Sequence, residues 1–151
     1  MRNNIIKFLA TGTYLGCAPV APGTFGTLWG VAIAWAVSGT PLYIQSVVTL
    51  VVALVSIYAA GEYTRSLGRH DHPSIVCDEI SGYLLAFLAL PFTFFNATLV
   101  FILFRIFDIL KPYPAGLLDK RIKGGLGVVA DDLAAGVYAG ISARLMIWLL
   151  G

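Results

Sequence analysis

Between Phe8 and Gly61 the chain carries no Asp, Glu, Lys or Arg, and two further stretches, Ile80 to Phe104 and Leu133 to Ala143, are equally free of them. The charges gather in the intervening segments, Glu62 to Glu79 and Arg105 to Asp132. Only 12% of the 151 residues are charged and 58% are hydrophobic, against roughly 25% charged in soluble domains. A soluble fold of this length leaves much of its surface in water and cannot hide so much apolar area. A bilayer removes that difficulty. The expectation is an all-α, polytopic helical membrane protein, a compact bundle with one charged site at its cytoplasmic face. The length suits a single domain, residues 1–151. A net charge of +2 on so oily a chain excludes a nucleic-acid binder.

Breakers divide the chain into apolar segments. Residues 1–22 set Ile5, Ile6 and Leu9 beside Lys7, which suits a short interfacial helix. Thr, Gly and Pro interrupt this stretch early, which argues against a cleaved signal peptide. A core segment is expected from about Thr24 to Val37, ended by Ser38-Gly39-Thr40-Pro41. Leu42 to Ala60 is a full-length span. Ile80 to Phe107, as one helix, would measure about 42 Å, more than a hydrocarbon core of roughly 30 Å. A hairpin turning at Pro91 to Asn96 instead returns Asp78, Glu79 and Asp108 to one face. Leu133 to Leu150 forms the last helix, with Gly136 and Gly140 at a spacing that permits close helix packing and with Arg144 expected to snorkel outward near Trp148. Asp78-Glu79 and Asp131-Asp132 each precede small residues by about one turn, a weak echo between two segments.

Five carboxylates, Asp78, Glu79, Asp108, Asp131 and Asp132, stand at the borders of apolar segments. One such acid is ordinarily an N-cap, but a cap needs one oxygen and not two adjacent carboxylates. Crowded carboxylates resist ionisation. A hard divalent ion, Mg²⁺ or Mn²⁺, is the usual compensation for an all-oxygen set. His70 and His72 read as solvated loop residues, and Cys17 and Cys77 lack the company a zinc site needs. Arg105 shares a helix face with Asp108 and serves equally as its ion-pair partner or as a fork for phosphate. Lys111 follows on the same segment. Lys120, Arg121 and Lys123 read as the positive-inside bias. Gly23-Thr24-Phe25-Gly26-Thr27, opening a helix, offers backbone N–H groups as an anion cradle, with Thr24, Gly26 and Thr27 as candidate substrate contacts.

Ala21-Pro22-Gly23-Thr24-Phe25-Gly26-Thr27, Asp78-Glu79-Ile80-Ser81-Gly82 and Arg105-Ile106-Phe107-Asp108-Ile109-Leu110-Lys111-Pro112-Tyr113-Pro114 are familiar together. With Asp119 and Asp131-Asp132-Leu133-Ala134-Ala135-Gly136, they resemble, in order, the signatures of the phosphatidylglycerophosphatase A family. The resemblance implies a Mg²⁺-dependent lipid phosphatase that removes the terminal phosphate of phosphatidylglycerophosphate to give phosphatidylglycerol. It implies a phospholipid as substrate, while the clustering of Lys and Arg beside the acids sets the expectation of a multi-pass protein of the cytoplasmic (inner) membrane with its site facing the cytoplasm. The acids and bases of these motifs would then form the active site. Asp78, Glu79, Asp108, Asp131 and Asp132 are the candidate metal ligands, Arg105 and Lys111 the phosphate contacts, and Glu79 and Asp131 the candidate catalytic acids. An ion- or proton-coupled transporter is the competing expectation, because membrane carboxylates also mark ion pathways. Acids at helix ends and the lack of a clear repeat favour the enzyme.

Overall fold

The computed structural model describes residues 2–68, 72–113, 115–116 and 122–150; Arg69, His70, Pro114, Asp119, Lys120 and Arg121 lie outside them. Among the described residues there is no strand, and six α-helices run in the order α1 (Arg2–Ala10), α2 (Pro22–Val37), α3 (Leu42–Leu67), α4 (Cys77–Phe87), α5 (Phe94–Leu110) and α6 (Gly125–Leu150).

Helices α3 and α6 are each 26 residues long and apolar enough to cross a membrane. At 1.5 Å per residue each measures about 39 Å, beyond the roughly 30 Å of a hydrocarbon core. Their surplus turns therefore reach the interface. Both bury small residues and expose large ones. Helix α3 buries Thr49, Ala53, Ser56, Ala59 and Ala60 while Val47, Leu50, Leu54 and Tyr58 face outward. Helix α6 buries Ala135, Gly136, Ala139, Gly140 and Ala143 while Val137, Ile141, Leu145 and Trp148 face outward. Lipid tails are as apolar as leucine, so membrane helices gain most from close backbone packing on small residues. This is the reverse of a water-soluble core.

The hub is α4, only 11 residues long and about 16 Å from end to end. It packs against α2, α3, α5 and α6, and nine of its residues are buried. Glycines set its distance from α6. A Cβ on Gly82 would lie 2.7 Å from the Asp132 carbonyl oxygen, and one on Gly136 would run into the Gly82 carbonyl. One turn further on, a Cβ on Gly140 would lie 2.9 Å from the Ala86 carbonyl oxygen. Gly82 with Gly136 and Ala86 with Gly140 are pairs in constant register, so α4 and α6 run parallel.

The hairpin expected between Ile80 and Phe107 is present. Helix α4 stops at Phe87, and Thr93 opens α5 by accepting a hydrogen bond from the Asn96 amide at 3.0 Å. Asn96 donates back to the Pro91 carbonyl at 3.0 Å, which fixes the turn. The Tyr83 hydroxyl donates to the Ala97 carbonyl at 3.1 Å and ties the two arms together. Arg105 at the end of α5 thereby returns to the level of Glu79 at the start of α4.

Three expectations need correction. The last helix begins at Gly125 and not at Leu133, so Asp131 and Asp132 lie in its second turn and cap nothing. Gly125 permits the early start by packing against the Ile57 carbonyl and Gly61 of α3, where any Cβ would collide. Helix α3 runs past Ala60 to Leu67, ending at Gly68 with φ of 63°, so Glu62 and Arg65 form an ion pair on its final turns. Arg144, expected to snorkel toward Trp148, instead reaches back along α6. It donates to the Gly140 carbonyl at 2.7 Å, the Ala86 carbonyl at 3.3 Å and the Leu88 carbonyl. Carbonyls at the end of α4 have no partner within their own helix, and the guanidinium satisfies them.

Candidate functional site

Parallel packing puts the starts of α2, α4 and α6 at one end of the bundle, where α3 and α5 finish. A cleft of about 350 Å³ opens there, lined by Asp78 and Glu79 of α4, Arg105 and Asp108 of α5, Asp131 and Asp132 of α6, and Lys111. Pro22 and Gly23 close it from the side of α2. The five acids expected to meet do line one cleft.

Within it they divide into two groups. Asp78, Glu79 and Asp132 each offer an oxygen within 4.8 Å of the others. The remaining two acids hold cations. Arg105 Nη1 lies 2.6 Å from Asp108 Oδ2 and 3.7 Å from Glu79 Oε1. Lys111 Nζ lies 2.5 Å from Asp131 Oδ2. Asp78 and Asp132 are almost fully buried. Glu79 Oε2 and Asp132 Oδ2 are both buried and have no hydrogen-bond partner among the described residues. A buried carboxylate oxygen without a donor is costly, and a hard cation is a natural partner for three convergent ones. The group could hold a metal ion.

Helix α4 is too short to span a bilayer, and its first turn carries the strained acids. Burial raises the Glu79 carboxyl to about 7; the Asp108 charge adds to the rise, while the Asp78 hydrogen bond and the Arg105 charge oppose it. Burial, and then the charge of Glu79, hold Asp78 well above the usual carboxylate range. Cys77, next in sequence, turns the other way. Its thiol is buried against the Ser56 carbonyl, 3.7 Å away, and burial pushes it up to about 12. Such a thiol is inert.

The candidate anion cradle is placed differently from the expectation. Thr27 is fully buried, and its hydroxyl donates to the Gly23 carbonyl at 2.8 Å. A Cβ on Gly26 would lie 2.7 Å from the Val76 side chain, so Gly26 serves the contact between α2 and the segment before α4. Thr24, Gly26 and Thr27 do not line the cleft. Gly23 does, and a Cβ there would meet the Glu79 carboxylate and lie 3.0 Å from Arg105 Nη1. The sequence reading grouped Gly23 with the motif but did not single it out. Its place in the first turn of α2, against two charged side chains, is visible only in three dimensions. His72 bonds Ser74 at 2.8 Å in the loop before α4 and does not itself line the cleft.

The phosphatidylglycerophosphatase A family model matches residues 8–147, nearly the whole chain. A phosphatidylglycerophosphatase A of Escherichia coli K12 is 33% identical over 97% of this chain and 84% of its own length. One from Haemophilus influenzae is 36% identical, over 97% of this chain and 92% of its own. A Bacteroides thetaiotaomicron protein that carries the provisional name phosphatidylinositol-3-phosphatase is 33% identical over 95% and 94%. No solved structure matches. The first two relatives and the family model agree in name, and each alignment runs through every segment that lines the cleft: the chain is an enzyme of the phosphatidylglycerophosphatase A family.

Proposed function

We propose that this protein hydrolyses the terminal phosphomonoester of phosphatidylglycerophosphate, releasing phosphate and leaving phosphatidylglycerol, with Mg²⁺ held by Asp78, Glu79 and Asp132. The observation that carries the reading is the convergence of three carboxylates beside Arg105 and Lys111 at the end of a membrane bundle. The buried, unpartnered oxygens of Glu79 and Asp132 fit a hard cation. When bound, such an ion supplies neutralising charge for the phosphoryl oxygens and makes a nearby water more acidic.

The remaining chemistry belongs to the chain. A phosphomonoester spreads negative charge over its non-bridging oxygens, and catalysis of its hydrolysis is largely positioning and charge stabilisation. Arg105 offers a planar fork to two of those oxygens. Asp108 holds that fork in place from one turn along α5. Asp131 does the same for Lys111, so its part is positioning, not proton transfer. Glu79, which lies 3.7 Å from Arg105, takes the proton of the attacking water through a carboxylate oxygen that does not hold the ion. As the water oxygen bonds to phosphorus, the bond from phosphorus to the glycerol oxygen breaks. The proton that Glu79 takes is then available to the departing alkoxide. The positive ends of α2 and α4, both pointing into the cleft, favour the anionic group.

The cluster of Lys and Arg at this end of the bundle supports a cytoplasmic orientation in the inner membrane. The transporter alternative is not carried further, because no feature of the cleft favours it over phosphate chemistry. The test compares the lipid with its water-soluble headgroup, glycerol bisphosphate, at equal concentration on purified protein in detergent. The lipid should be hydrolysed with at least a hundredfold higher kcat/KM, because its tails place the phosphate. Equal efficiency on the two would contradict the reading.

A further inference from the structure

The proposed reaction needs a lipid to present its headgroup to the cleft while its tails remain in the bilayer, and one flank of the bundle has the shape for this. At the cleft, α2 and α5 meet where Gly23 abuts Arg105. Below that meeting point they part, and an apolar groove of about 300 Å³ opens between them. Leu28 and Val31 of α2 form one wall, and Ala97, Thr98 and Phe101 of α5 form the other. Phe101 stands one turn below Arg105 on α5, so the groove and the guanidinium lie along one line of the helix. Leu28 and Thr98 are exposed, which leaves the groove open to the surrounding lipid. Ile109, one turn beyond Arg105, borders the cleft and is also exposed.

We infer that the groove between α2 and α5 is an acyl-chain site, holding one tail of the diacyl lipid whose phosphate sits against Arg105. The inference rests on the phosphatase reading of the cleft. Two features commit the groove to this occupant: its uppermost residue on α5, Phe101, stands one turn from Arg105, and the line from guanidinium to groove passes from charged to apolar as a phospholipid does. A smaller apolar hollow, of about 180 Å³, lies beside α1. It is walled by Phe8, Trp29, Val51 and Ile80, and no residue of α5, the helix that carries Arg105, lines it. A tail gains little free energy by leaving lipid for an equally apolar groove. The groove therefore acts by orientation, holding the headgroup at one depth and angle, and its effect falls on productive geometry.

The experiment fills the groove and varies the tail. Thr98→Trp and, separately, Leu28→Trp are introduced from exposed positions, with Leu50→Trp on the outward face of α3 as control. Each is assayed on dioleoyl and on dihexanoyl phosphatidylglycerophosphate. The groove variants should lose at least fivefold in kcat/KM on the dioleoyl lipid and stay within twofold on the dihexanoyl one. The control should stay within twofold on both. In the wild-type protein, a dioleoyl-length analogue with a diazirine in one tail should label α2 and α5 in preference to α3. Equal losses on both lipids, no loss on either, or labelling spread evenly over α3 would overturn the groove while leaving the phosphatase reading intact. Wild-type protein that hydrolyses neither lipid would overturn both.

Discussion

Gly82 and Gly136 meet backbone to backbone, each one turn past an acid that faces the cleft, Asp78 on α4 and Asp132 on α6. The contact sets how far apart those two carboxylates stand. Helices that approach on glycine bring the acids of the preceding turn within reach of one ion. Gly136→Ala should therefore act on the site as well as on the fold. The added methyl meets a carbonyl, not a flexible side chain, and forcing the helices apart costs about 1–3 kcal/mol. Thermal unfolding in detergent should show that loss, and divalent-cation binding should weaken at least tenfold at temperatures where the variant is still folded. Cation binding equal to wild type would break the proposed link between the crossing and the site.

Gly23 poses the opposite case. A methyl there meets the ends of two flexible side chains, Glu79 and Arg105, which can move aside. Gly23→Ala should leave the melting temperature within about 2 °C of wild type, since the methyl meets side-chain ends and no backbone. Phosphate release should fall at least tenfold, because the displaced groups are those that face the phosphate. A loss of stability as large as the loss of activity would point to a structural role instead.

The five acids should separate into two classes on substitution by the amide. Asp78→Asn, Glu79→Gln and Asp132→Asn should each weaken Mn²⁺ binding, followed by electron paramagnetic resonance, by tenfold or more. Asp108→Asn and Asp131→Asn should bind Mn²⁺ within about threefold of wild type yet lose turnover, because they release Arg105 and Lys111 from their positions. Uniform effects across all five would erase the division drawn from the geometry.

Much of this was legible in the chain itself. The uncharged stretches announced membrane helices, and Pro91 with Asn96 announced the turn that brings Arg105 back to Glu79. The acids, too, were visible as a set. Their division was not, because it depends on which side chains face one another across helices distant in sequence. The start of α6 was misplaced because Asp131 and Asp132 read as a polar boundary. In the structure a glycine contact with α3 carries the helix back to Gly125, and the acids face inward from its second turn. The threonines of the first motif were assigned to an anion for a similar reason. A hydroxyl near a helix start is an available donor in sequence, but Thr27 bonds its own helix at Gly23. The tight register of Gly82 with Gly136 gives the faint echo between the two acidic segments its physical meaning.

Cation binding should depend on pH through Glu79. Its carboxyl rises from 4.5 to about 7 on folding, so below 7 the metal-free protein holds a proton that the ion must displace. Affinity should climb by at least about tenfold per pH unit up to 7, because burial raises the Asp78 carboxyl as well. The same shift makes the metal-free fold more stable at low pH. Between 4.5 and 7 the folded chain binds more protons than the unfolded one, so stability falls as pH rises. Calorimetric titration with Mg²⁺ at several pH values checks the first trend, and melting in the presence of chelator checks the second. An affinity that is flat between pH 5.5 and 7 would remove Glu79 from the ion site.

The central claim, that three carboxylates on α4 and α6 hold the ion with which this enzyme hydrolyses its lipid, is tested most directly by one assay. Phosphate release from phosphatidylglycerophosphate is followed on purified protein after chelation and again after Mg²⁺ is restored, with Asp132→Asn in parallel. Wild-type turnover should vanish with the chelator and return with Mg²⁺, and the variant should stay at least a hundredfold below it throughout. Full turnover in chelator, or an Asp132→Asn variant as active as wild type, would contradict the account.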